Sequence, residues 1–163
     1  MSEVVRDPVH RARYVFHPEG ENMVVECWIE SGGGLPEHLH PTQEERWSVV
    51  DGQIRFGLGD TKRVIRPEDG EMVVRPGTRH SLTSVSGEDA HLRCLVLPAG
   101  HLQDFLTDSA RAAREGLFMK GGIPRSLRGA RWAAGFLKEH QDEVVMTFPP
   151  RFVQRALIAT LAR

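Results

Sequence analysis

At 163 residues, 40% apolar and 26% charged, the chain has an ordinary globular composition and enough length for one well-buried core with a small appendage, but not for two ordinary domains. A pI near 6.7, with neither a dense basic stripe nor a recognised binding motif, argues against a nucleic-acid partner. Charge is unevenly spread: residues 1–100 hold 11 Lys and Arg against 16 Asp and Glu, a balance of −5, while residues 101–163 hold 10 against 6, a balance of +4.

Met1 to Asp7 includes an acidic residue, and Pro8 follows where a signal peptide would need an apolar run. No later window is long enough to span a bilayer, so the expected location is the cytoplasm. The short apolar pieces Val4-Val5 and Tyr14-Val15-Phe16 suit an edge strand folded onto a barrel. From Met23 to Glu30 the chain is rich in β-formers, with Met23, Val25, Cys27 and Ile29 on one face and Glu26, Trp28 and Glu30 on the other. Gly32-Gly33-Gly34 then breaks the strand, either as a plain flexible loop or as a turn that only glycine accommodates. Cys27 and Cys94, each in an apolar alternating segment, read as buried free thiols in a reducing compartment, with a disulfide or a soft metal ligand as the alternatives.

His38 and His40 follow at i and i+2, and on an extended segment they point to the same side. A strand beginning near Glu44 and folding back beside them would bring a carboxylate to the same point, giving two imidazoles and one oxygen donor. That set suits a divalent first-row metal. Glu45 and Glu44 compete for this role, and on a strand they face opposite ways. Asp51-Gly52 is a strong hairpin signal, with Ile54 to Leu58 as the returning strand. Further strands are expected over Lys62–Arg66, Met72–Val74, His80–Val85 and Ala90–Leu97, separated by Gly59-Asp60, Pro67 to Gly70, Pro76-Gly77 and Ser86 to Asp89. At the third of these breaks, Pro76-Gly77, a turn delivers His80 at the start of a strand as a further ligand. Short strands at intervals of about 8–12 residues without an intervening helix predict an antiparallel sandwich or barrel.

These residues resemble the two motifs of the cupins. Gly32, His38, His40, Glu45 and Gly52 match the pattern G-x5-H-x-H-x3,4-E-x6-G, and Gly77 and His80 match the second motif, P-x-G-x2-H. Arg75 stands where that second motif has its proline, which comes one place later at Pro76, and Ser84 replaces a frequent Asn. Neither change removes a ligand. The resemblance covers about residues 20 to 98. It implies an all-β, antiparallel jelly-roll barrel over residues 1–100, with His38, His40, Glu45 and His80 holding one divalent transition metal: Fe, Mn, Ni, Cu or Zn. It also implies a homodimer paired through N-terminal strands.

Same-face alternation from Glu45 and His80 places Trp47, Val49, Leu82 and Ser84 towards the interior, either lining a substrate pocket or filling the core. Arg79 should face outwards, as a solvated charge or as a contact for a substrate anion at the rim. Beyond Pro98 the period changes, and residues 101–163 are expected to form a helical extension packed on the barrel or on a partner. Its helices are His101–Glu115, closed by Gly116, then Leu127–His140, and a last segment after Pro149-Pro150. In that last segment Phe152, Val153, Ala156, Leu157 and Leu161 share a face opposite Arg151, Gln154, Arg155 and Arg163. A basic, amphipathic helix of this kind could also lie on an anionic membrane surface or against another protein.

Four donors leave open positions on a six-coordinate ion, so the expected function is metal-dependent catalysis on a small oxygenated organic substrate, of dioxygenase or isomerase/cyclase type. The other expectation is a non-catalytic module that binds or senses a small molecule. No general acid or base stands out beyond the metal ligands: Glu26 is expected to face outwards on the alternation, and Ser84 and His91 have no assigned position.

Overall fold

The computed structural model describes residues 4–162, so Met1, Ser2, Glu3 and Arg163 lie outside the described residues. Ten strands come first: β1 (Val5–Asp7), β2 (Ala12–Glu19), β3 (Asn22–Ile29), β4 (Gly34–Leu39), β5 (Glu44–Asp51), β6 (Ile54–Leu58), β7 (Thr61–Ile65), β8 (Met72–Val74), β9 (His80–Ser84) and β10 (Ala90–Leu97). The helical part follows as α1 (Leu102–Arg114), β11 (Phe118–Met119), β12 (Ile123–Pro124), α2 (Leu127–Glu139), β13 (Val145–Met146) and α3 (Arg151–Leu161).

Two antiparallel sheets face one another. One has the order β1-β2-β3-β10-β5-β8 and the other β13-β4-β9-β6-β7. The expected jelly-roll barrel with helices after it is the observed architecture. Alternation along the strands builds the core: Met23, Val25, Cys27 and Ile29 of β3 are buried, and β10 lays Val96, Cys94 and Leu92 opposite Met23, Val25 and Cys27. On its other side β10 sets Val96 opposite Glu45, Cys94 opposite Trp47 and Leu92 opposite Val49. Cys27 and Cys94 are free, and burial pushes both thiols up from their ordinary range.

Asp51-Gly52 does not close a hairpin. β5 belongs to the six-stranded sheet and β6 to the five-stranded one, where β6 pairs with β7 and β9. Gly52 keeps the positive φ of 78° that the dipeptide advertises. The turn carries the chain across the sandwich, because the tight-turn chemistry specifies a reversal and not the identity of the partner strand. Gly59-Asp60 does join paired strands, β6 and β7.

The glycine triplet is needed for close approach. A Cβ on Gly33 would lie 2.6 Å from the His10 carbonyl oxygen, and one on Gly34 would lie 2.4 Å from that of Leu82. The Gly34 amide donates to the His10 carbonyl at 3.0 Å, so the β1–β2 turn is seated against the start of β4.

The chain after residue 100 is joined to the barrel by backbone and side chain alike. β13 extends the five-stranded sheet by pairing with β4, Met146 opposite His38. The Arg114 guanidinium at the end of α1 donates to the Arg6 carbonyl at 2.7 Å. Ser126 caps α2 by accepting from the Gly129 amide. On α3 the expected face is displaced: Gln154 is buried, with its amide donating to the carbonyls of Met146 and Pro149, while Phe152 is 75% exposed and Ala156 is exposed as well. The amide satisfies two loop carbonyls that the burial of this turn would otherwise orphan, which outweighs the apolar pattern.

Candidate metal centre and cavity

His38 stands near the end of β4, His40 just beyond it, and His80 opens β9 directly opposite His38. Each offers a ring nitrogen within 4.8 Å of the others. Their tautomers follow from the backbone. Nδ1 of His38 donates to the Pro36 carbonyl at 2.7 Å, Nδ1 of His40 to the Glu143 carbonyl at 2.8 Å, and Nδ1 of His80 to the Thr78 carbonyl at 3.2 Å. A carbonyl can only accept, so each Nδ1 carries a proton and Nε2 is the ring atom left to face a ligand. The Nε2 atoms of His40 and His80 are buried without a hydrogen-bond partner.

Glu45 is 3% exposed and faces the same space, while Glu44 points outwards to Arg46. Its oxygens lie 3.1 Å from His40 Nε2 and 2.9 Å from His80 Nε2, without the alignment of hydrogen bonds. The Trp47 indole donates to Glu45 Oε2 at 2.8 Å and fixes the carboxylate. Burial opposes ionisation of Glu45, yet the His40 and His80 rings outweigh it and hold the carboxyl well below its ordinary range. Burial disfavours the His40 cation too, but the Glu45 charge prevails and holds His40 above its ordinary value. For His38, burial and then the His80 and His40 rings push the imidazole down to about 3. A negative carboxylate, two orphaned buried nitrogens and a third imidazole held neutral form a donor set that fits a divalent cation.

The segment after α2 contributes to this centre, which sequence reasoning missed. Glu143 supplies the carbonyl that orients His40, and its carboxylate accepts from the Gln43 amide at 3.0 Å. Gln43, 1% exposed, also donates to the Ala99 carbonyl at 2.7 Å. Gln43 shares the inward face with Glu45 and Trp47, and that alternation was its one signal in the sequence.

The centre opens on a cavity of about 480 Å3, in which His38, His40, Glu45 and Trp47 are joined by Val25, Cys94 and Val96 of the barrel. Its other wall is helical: Leu102, Phe105 and Leu106 of α1, Trp132 and Phe136 of α2, and Leu157 of α3. Trp47 lines this cavity. Val49, Leu82 and Ser84 do not line it; they are buried in the barrel, and the Ser84 hydroxyl accepts from the Gly32 amide at 2.8 Å. Alternation specifies the inward direction but not whether a cavity or a packed core lies there. Arg79 is on the surface, 2.7 Å from Asp60 and 3.7 Å from Glu37. Glu26 is buried against His91 and Arg93 on the far side of β3, outside the cavity.

The two facing antiparallel sheets, with clustered histidines between them, define a double-stranded jelly roll. Among solved structures, an RmlC-like cupin from Shewanella frigidimarina matches with a TM-score of 0.55 and 20% identity, over 63% of this chain and 89% of that one. KdgF from Halomonas sp. matches with a TM-score of 0.53 and 17% identity, over 61% and 90%. The chain has the cupin fold. No family model matches it. An oxidoreductase of Arthrobotrys oligospora is 32% identical over 126 residues, 72% of this chain and 50% of that protein, so the chain spans half the length of this curated relative. No helix among the described residues is long and apolar enough to cross a membrane.

Proposed function

We propose that the protein is a metal-dependent cupin enzyme acting on a small, mainly apolar organic substrate that carries an oxygen function, with His38, His40, Glu45 and His80 as the ligands of one divalent transition metal. The observation that carries this reading is the set of three Nδ1-to-carbonyl hydrogen bonds, which leave three clustered Nε2 atoms for a ligand, those of His40 and His80 beside the buried Glu45 carboxylate. When bound, the ion would supply Lewis acidity and, if redox-active, a route to dioxygen chemistry.

The residues around it do the remaining work. Trp47 holds the Glu45 carboxylate in place, the Glu143 carbonyl holds His40 in the Nδ1-protonated form, and the apolar walls exclude water from the reacting end of the substrate. The oxidoreductase relative favours oxidation over isomerisation or cyclisation. A homodimer paired through N-terminal strands belongs to the same proposal, β1 being an edge strand, and a particle of 18.3 kDa in light scattering would exclude it.

The test is elemental analysis of wild type beside His40→Ala, after chelation and reloading, followed by oxygen uptake with phenolic and diketone substrates. About one iron, manganese, nickel or copper per chain, lost in the variant, with substrate-dependent uptake supports the oxidative reading. Zinc alone would turn the reading to isomerase or cyclase chemistry, and no metal under any loading would leave a small-molecule-binding module.

A further inference from the structure

The cavity has a second polar locus, remote from the histidines. Asp7, at the end of β1, is 3% exposed and His10, in the turn that follows, is one-fifth exposed at its side chain; both line the cavity. Asp7 Oδ2 lies 2.7 Å from His10 Nδ1, and Asp7 Oδ1 accepts from the Val9 and His10 amides at 2.9 and 3.0 Å. The carboxylate thus fixes the imidazole by both ring and backbone, and no partner is found for His10 Nε2 among the described residues. The His10 carbonyl is seated on Gly34, so the turn is not a loose excursion.

Two rulers give the separation. Along β10 the metal-centre row contains Val96, opposite Glu45, and the row at the other end contains Ala90, opposite Ile29, which itself faces Ala12 and so Asp7. Six residues of strand span about 20 Å. Helix α1 runs the same way: it begins beside the Gln43–Ala99 contact and ends with Arg114 on Arg6. Its lining residues from Leu102 to Ala113 rise about 17 Å. Between the two loci the lining includes Val25, Trp47, Cys94, Phe105 and Leu106.

We propose that His10, positioned by Asp7, is the anchor for a hydroxyl at the far end of an elongated ligand with an apolar middle, whose opposite end brings an oxygen to the histidine cluster. The second half of this statement rests on the metal reading; the hydroxyl anchor does not. With Nδ1 committed to Asp7, Nε2 is the ring's remaining polar atom; it pairs with a hydroxyl, which can donate or accept, and offers nothing to a methyl terminus. A hydroxyl buried in this cavity without that partner would lose its water and gain nothing, so the anchor discriminates between ligands as well as attracting one.

The probes are 12-hydroxydodecanoate and dodecanoate, titrated against zinc-loaded and chelated protein by quenching of tryptophan fluorescence, since Trp47 and Trp132 line the cavity. Wild type should bind the hydroxy acid about tenfold more tightly than dodecanoate. His10→Phe should erase that preference while leaving dodecanoate affinity within about twofold, and His10→Gln, which retains an acceptor, should keep part of it. Asp7→Asn should weaken the preference and change the His10 tautomer, read directly from its 15N shifts. Equal binding of the two acids to wild type, a preference that survives His10→Phe, or the absence of saturable quenching would overturn the anchor. If the preference holds but dodecanoate binds equally well with and without metal, the metal reading fails and the anchor stands.

Discussion

In the barrel, Ile54, Leu82 and Leu92 are wholly buried, whereas the large apolar residues of the helices, Phe105, Leu106, Trp132 and Phe136, remain half-buried. Complete burial on α1 and α2 falls mainly to small residues, Ala110, Ala112 and Ala134. The barrel uses apolar side chains to fill space and fix strand register; the helices use them to wall a cavity. The difference explains how one short chain holds both a rigid set of donors and room for a ligand.

The strongest way to break this comparison is paired truncation. Leu82→Ala should cost about 3–4 kcal/mol in chemical denaturation, because a solid core collapses poorly around a deletion. Phe105→Ala, although it removes more atoms, should cost about 1–2 kcal/mol, because its ring already borders open space. Ligand affinity should respond in the opposite order. Equal stability losses would mean that the helical face is a core like the other.

A second prediction concerns the point where the two regions meet. Gln43→Ala removes the bonds to Ala99 and Glu143 and loosens the carbonyl that orients His40. Metal affinity, measured by chelator competition, should fall about 10–100-fold, the range expected for partners behind a ligand. An unchanged affinity would separate the C-terminal segment from the metal centre.

The third is smaller and depends on pH. Burial opposes the Asp7 charge, but the His10 ring and the Val9 and His10 amides outweigh it and hold the carboxyl below its ordinary range. A carboxyl depressed in the folded state stabilises it above the unfolded pKa and loses that contribution as pH falls through the folded value. Asp7→Asn should therefore cost about 1 kcal/mol at pH 7, and the gap to wild type in thermal melts should close below about pH 4. A gap that is constant from pH 7 to pH 3 would show that the charge plays no part.

What could be read in advance follows the same division. Strand period two is rigid, so His38, His40, Glu45 and His80 could be placed on one site from spacing and from the likeness to cupin motifs. Contacts spanning a hundred residues could not. The Glu143 carbonyl has no identity in a sequence, and the Asp7–His10 pair joins the cavity only because the Gly33–Gly34 approach seats its turn there. Val49 and Leu82 show the limit of alternation, and Asp51-Gly52 the limit of turn chemistry, since neither encodes which element lies opposite.

Helix α3 shows that limit most directly. By apolar pattern Phe152 belongs to the buried face and Gln154 to solvent; the helix is rotated the other way, with Val153, Leu157 and Ile158 half-buried beside Gln154. Phe152→Ser should consequently change stability by no more than about 0.5 kcal/mol, as for a surface substitution. Gln154→Leu, which looks favourable by hydropathy, should cost about 1–3 kcal/mol, because the carbonyls of Met146 and Pro149 lose their donor. Thermal melts of the two variants in parallel decide it. A larger loss in Phe152→Ser would restore the apolar face and place the hydrogen bonds of Gln154 second.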